Sequence, residues 1–190
     1  MSIAELSTAR MTVEEFLDLP EDGIHRELID GEVREFGMTV RGSVHSEVEA
    51  NFVVELQNWL RTRPKPRGKI SCGEVGFRLD GTKATIVGID VAYASPEVVA
   101  RKHPDRRTYD GVPILAVEIL SPSDTHRGVM EMIALYLRYG AVVWIANPDL
   151  RTVSVHRPGH PPITFNESQE LLGDPELPGF RVPISRLFDD

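Results

Sequence analysis

Two carboxylates stand in this sequence where something has to compensate their charge. Glu118 lies inside Ile114-Leu-Ala-Val-Glu-Ile-Leu120, an apolar run typical of a strand buried on both faces. Asp90 meets the same difficulty inside Ile86-Val-Gly-Ile-Asp-Val-Ala-Tyr93, and Glu74 in Cys72-Gly-Glu-Val-Gly-Phe77 is a milder case. An ionised carboxylate taken out of water costs several kcal/mol unless it is compensated. The compensation is a buried arginine or lysine, a proton, or a metal ion. For one isolated acid an ion pair is as good a reading as any, because buried charges are nearly always paired. Two acids mid-strand in adjacent sequence elements alter the balance: if the strands are neighbours, both acids can point into one crevice, and two like charges there need a cation. Oxygen donors favour a hard divalent ion, and Mg²⁺ commonly binds through one or two carboxylates, waters and substrate phosphates. Such an ion orients water and stabilises charge at phosphorus. The residues therefore point to metal-assisted phosphodiester hydrolysis, with Asp90 and Glu118 as ligands for Mg²⁺ and Mn²⁺ as a substitute. The competing reading pairs the acids with arginines such as Arg127 or Arg138.

The elements that must position these acids follow from local pattern. Thr12-Val-Glu-Glu15 reads as a capping box opening a short helix over Glu14–Leu19. His25–Ile29 and Glu32–Phe36 flank Asp30-Gly31, a two-residue hairpin signal. Val44, Val48, Phe52, Leu56 and Leu60 recur every fourth residue, which predicts a helix over Ser43–Leu60 with one apolar stripe. Strands are expected over Lys69–Leu79, Thr85–Ala94 and Pro113–Leu120, the first ending at an Asp80-Gly81 turn. Ser123 or Asp124 then caps a helix that ends at Gly140, with Met132, Leu135, Tyr136 and Tyr139 on its buried side. Ala141–Ala146 and Thr152–His156 are further strands; a short strand near Ile163–Phe165 and a turn of helix near Ile184–Phe188 occupy a proline-rich tail. Strand, helix and strand over residues 113–146 form a βαβ-like unit, so the class is α/β, a mixed sheet flanked by helices.

Bulk properties bound the partners. The 190 residues suit one domain, 1–190, with residues 1–11 a loose lead-in. Apolar residues make up 41% and charged ones 26%, enough for a core, and no run suits a membrane span. The absence of a signal pattern makes the cytoplasm the expected location. A single cysteine, Cys72, excludes an internal disulfide; beside a glycine in a strand it reads as a small buried apolar residue. The net charge of −8 argues against a protein that coats nucleic acid, yet Arg61–Lys69 and Arg101–Arg107 are locally basic. Either segment suits a phosphate backbone or a solvated loop.

The ordered set Met11-Thr-Val-Glu-Glu-Phe-Leu17, Glu27-Leu-Ile-Asp-Gly-Glu-Val33, Gly73-Glu-Val-Gly-Phe77, Asp90-Val-Ala-Tyr93, Leu115-Ala-Val-Glu-Ile-Leu-Ser-Pro-Ser123, Ala134-Leu-Tyr-Leu-Arg-Tyr-Gly140 and Val143-Trp-Ile-Ala-Asn-Pro148 resembles the Uma-type restriction-endonuclease family. The resemblance implies the restriction-endonuclease-like fold of the PD-(D/E)XK nucleases, with an N-terminal hairpin and C-terminal strands. It also implies a Mg²⁺-dependent endonuclease acting on DNA, and a homodimer suits cleavage of two strands. Asp90 and Glu118 match the family's two acids. Glu74 is a supporting position, and His45 falls where the family places a histidine at the start of the long helix. A helix-terminal histidine bonding backbone or solvent explains His45 equally well. Glu27 matches a position able to approach the site, although Arg26 stands where the family has an aromatic. Further departures are Gly88-Ile89 before Asp90, where Arg-Pro is usual, and Met132 where the family carries its lysine. The alternative implied by Met132 is a module that binds nucleic acid or protein without cutting.

Overall fold

The computed structural model describes residues 10–20, 22–36, 42–80, 84–101 and 108–189. Helix α1 spans Val13–Leu17, one residue ahead of the expected start, and its capping box is formed on both sides between Thr12 and Glu15. Strands β1 (His25–Ile29) and β2 (Glu32–Phe36) fall where the hairpin was expected. Asp30 at φ 50° and Gly31 at φ 84° supply the two left-handed residues of the tight turn. Residues 1–9 of the expected lead-in lie outside the described residues, and at its end the Met11 N–H bonds the Gly31 carbonyl at 2.8 Å.

Helix α2 runs over Ser43–Arg61 and buries Val48, Phe52, Leu56, Trp59 and Leu60. Strands β3 (Lys69–Asp80) and β4 (Thr85–Ala94) pair antiparallel over their length, interrupted by a bulge between Cys72 and Val75. Helix α3 (Pro96–Ala100) and strand β5 (Thr108–Asp110) follow; neither has a pattern long enough to read from sequence. Strand β6 (Leu115–Ile119), helix α4 (His126–Tyr139) and strand β7 (Val142–Asn147) form the βαβ unit, with β6 and β7 parallel. Helix α4 is capped by Thr125, whose side chain accepts from the Gly128 N–H, rather than by Ser123 or Asp124. Asp124 instead takes the Ser121 N–H at 2.7 Å and closes the preceding turn. Gly140, left-handed at φ 90°, ends the helix as expected.

Strands β8 (Thr152–His156) and β9 (Ile163–Asn166) extend the sheet, giving nine strands among the described residues. The main path is β2-β1-β4-β6-β7-β8-β9, with β3 on β4 and β5 on β3. A small ladder of β10 (Glu170–Leu172) and β11 (Arg181–Pro183) precedes a 3₁₀ turn at Ile184–Leu187. One face of the sheet packs on α2 and the tail, the other on α4 and α3. The tail is core, not trim: Leu171, Leu177, Phe180, Val182, Ile184 and Leu187 join Phe52 and Trp144. Cys72 departs from expectation and is exposed. Among the described residues, strand β5 pairs with β3 only at residues 76–78, which leaves the rest of that edge without a strand partner.

Leu177 is wholly buried in this tail. Leu177→Ala is expected to cost about 2–5 kcal/mol of unfolding free energy, measured by denaturant titration; a cost below ~0.5 kcal/mol, ordinary for surface positions, would show the tail to be dispensable.

Candidate active site

The site forms where β4 changes partners. Strand β3 lines one edge of β4 from Lys69↔Ala94 to Asp80↔Thr85. The opposite edge is shared: β6 pairs with Val91–Tyr93, and β1 pairs at Ile86 through Leu28. Between these two contacts the ladder is open, and side chains take over the backbone groups there. The Ile119 N–H goes to Asp90 Oδ2 at 2.9 Å. The Gly88 N–H goes to Glu27 Oε1 at 3.3 Å, and the Gly88 carbonyl accepts the Tyr136 hydroxyl at 3.4 Å. Buried backbone groups need partners, so acids at this gap stabilise the sheet while gathering charge. One step beyond Val91↔Val117, the same register brings Asp90 opposite Glu118.

Asp90 and Glu118 are both buried, at 5% and 9% exposure. Tyr136, 1% exposed, donates its hydroxyl to Glu118 Oε1 at 2.7 Å. Burial, and next the nearby Glu118 carboxylate, raise the Tyr136 phenol well above its ordinary range, so the hydroxyl keeps its proton. The Ile119 N–H and the Tyr136 hydroxyl are neutral donors: they solvate the carboxylates without cancelling their charge. The arginines of the competing reading are engaged elsewhere. Arg127 pairs with Glu131 at 2.9 Å from an 89% exposed side chain, and Arg138 pairs with Asp30 at 3.1 Å.

His45 faces the site: its Nε2 lies 3.3 Å from Asp90 Oδ1. Glu49, one helical turn on, accepts the Gly73 N–H at 2.7 Å, so the same side of α2 holds both Asp90 and the β3 bulge. In that bulge Gly73 (φ 79°) and Glu74 (φ 58°) are both left-handed. Glu74 is thereby carried toward His25, with Oε2 3.7 Å from Nδ1. Gly88 makes room for this pair, since a Cβ there would lie 2.5 Å from Glu74 Oε2 and 2.9 Å from His25 Cε1. The glycine that departs from the family pattern thus lets the ends of these two side chains lie against β4. Met132 is partly buried against the core on α4, one turn before Tyr136. Of the basic segments, Arg63 and Arg67 bond the Pro178 and Arg61 carbonyls, and residues 102–107 lie outside the described residues. Among the described residues, no three His, Cys, Asp or Glu side chains are arranged as a metal cage.

The predicted residues Asp90, Glu118 and His45 come together around this gap, and Glu74 stands beside Gly88 two residues from Asp90. Sequence reading missed Tyr136 and His25. Tyr136 looked like core at helical spacing, and it is core; its hydroxyl is the added function. His25 carried no signal, because its place depends on the β1 crossover. Glu27 is more central than its sequence setting suggests.

Acids gathered in the split of a mixed sheet, with helices on both faces, define a nuclease-like protein. The chain belongs to the Uma2 family, described as "Putative restriction endonuclease", whose model matches residues 13–185. Among solved structures it is similar to a protein from Anabaena variabilis ATCC 29413, titled a putative nuclease belonging to DUF820. That likeness has a TM-score of 0.77 at 22% identity and covers 94% of this chain and 97% of the other. No curated protein matches the chain. Among the described residues, no helix is long and apolar enough to cross a membrane.

Loss of water pushes the Glu27 carboxyl from 4.5 up to about 7, against the Gly88 N–H and Arg34, which favour its charge. The folded chain holds this proton more tightly than the unfolded chain. Its stabilising contribution is full below about 4.5 and is lost as pH rises through about 7. Thermal denaturation in chelator-treated buffer should therefore show wild-type stability declining across that window, and Glu27→Gln declining less. Parallel pH profiles for the two proteins would refute the raised carboxyl.

Proposed function

We propose that the chain, acting as one domain, is a Mg²⁺-dependent DNA endonuclease whose metal ligands are Asp90 and Glu118. The observation that carries this reading is the pair of buried acids set opposite each other at the β4 gap. Two carboxylates offer hard oxygen donors of the kind Mg²⁺ takes, with waters and substrate phosphates filling the other positions. A closed protein cage is not needed for such an ion, so the donor set fits. When bound, the metal supplies stabilisation of charge on a phosphoryl oxygen and orientation of water.

The chain's own residues do the rest. His45 steadies Asp90 from α2. Glu27, with its carboxyl near 7, suits exchange of a proton with water close to neutral pH. His25 and Glu74 flank Gly88 as a further polar pair at the edge of the site. A cytoplasmic, dimeric enzyme acting on DNA is the setting this reading favours.

Nicking of supercoiled plasmid with Mg²⁺ or Mn²⁺ tests it. The Asp90→Ala, Glu118→Ala double variant should lose activity by ~10²-fold or more, the scale of removing one transition-state stabiliser; unchanged nicking would sink the assignment.

A second reading rests on Met132, which packs into the core, and on Arg127, which points to solvent and Glu131. In it the chain binds nucleic acid or protein without cutting. Met132→Lys separates the two: nicking gained only by the variant supports the binding module, whereas robust wild-type nicking excludes it.

A further inference from the structure

Tyr136 joins the two strands that diverge at the site. Its hydroxyl reaches Glu118 Oε1 on β6 at 2.7 Å and the Gly88 carbonyl on β4 at 3.4 Å. The ring is wholly enclosed on α4, one turn beyond Met132. Packing alone would be served by phenylalanine, and the hydroxyl is a buried polar group that needs its partners. An O–H donor aimed at one carboxylate oxygen fixes the rotation of that carboxylate, as outer hydrogen bonds do for ligands in metal sites. The other oxygen, Oε2, is then held in a fixed direction within the same carboxyl plane. Asp90 receives corresponding treatment from β6, through the Ile119 N–H on Oδ2. Each acid is oriented by a group from beyond its own strand.

We infer that Tyr136 is a positioning residue for divalent metal: its hydroxyl orients Glu118 so that Asp90 and Glu118 present their oxygens to one ion. The inference rests on the metal site proposed above. Tyr136 touches neither metal nor substrate. It acts through Glu118, and its loss therefore appears first in metal affinity.

The experiment compares Mn²⁺ binding by the full chain, its Tyr136→Phe variant and a packing control, Leu135→Val, followed by electron paramagnetic resonance with thermal melts on the same samples. Tyr136→Phe should weaken Mn²⁺ binding about 10- to 100-fold, the usual effect of losing an outer-shell partner. Leu135→Val should lower the melting temperature and leave Mn²⁺ affinity unchanged. Tyr136→Met, which also lacks the hydroxyl, repeats the test should the phenylalanine variant not fold. Equal Mn²⁺ affinity in the wild type and a folded Tyr136 variant overturns the positioning role while the metal site stands. A wild type that binds no Mn²⁺ overturns the metal site itself, and the positioning role with it.

Discussion

The structure turns on the divided edge of β4. One strand cannot pair with both β1 and β6 over the same residues, so the ladder opens between Ile86 and Val91. An open ladder inside a folded sheet leaves backbone N–H and C=O groups that water or side chains must satisfy. Here Asp90, Glu27 and Tyr136 do so. The acids are therefore not foreign to the sheet. They complete its hydrogen bonding at the place where the strands separate. Structure and chemistry make the same demand on these positions.

Charge sets the second constraint. Asp90, Glu118 and Glu27 all lie within electrostatic reach of the Tyr136 hydroxyl. Burial has already driven Glu27 toward its protonated form. A cation entering the gap would oppose that tendency, and Glu27 would release its proton as positive charge arrived. Cation binding at the gap, as proposed above, would thus be linked to the protonation of Glu27. The ion pairs Arg34–Glu131 and Arg138–Asp30 connect the β1–β2 hairpin to α4, the elements that carry Glu27 and Tyr136.

Much of this was legible in the sequence. Elements with strong periodicity were readable to within a residue or two: the hairpin around Asp30-Gly31, helix α2, strands β4 and β8, and the unit from β6 to β7. The two principal acids were readable because a charge in an apolar strand is a local contradiction. What escaped depended on contacts distant along the chain. Helix α3 and strand β5 are too short to carry a period. The cap of α4 moved by one or two residues because Asp124 had a competing turn to close. Cys72 is exposed because sheet order, which no local pattern encodes, leaves that part of β3 without a second strand partner among the described residues. Tyr136 was assigned to the core correctly, yet periodicity weighs a ring and is blind to the direction of its hydroxyl.

Two of the departures from the family pattern, Met132 and Gly88, act on different sides of the site. Met132 makes the inner face of α4 apolar one turn before Tyr136, so this helix brings a dipole to Glu118 where a lysine would bring a charge. Gly88 acts on the other side: without a side chain, β4 lets Glu74 and His25 close over it. Among the described residues, imidazoles near the gap come from β1 and α2, as His25 and His45. Gly88 and Met132 thus shape the packing on two sides of an unchanged pair of acids.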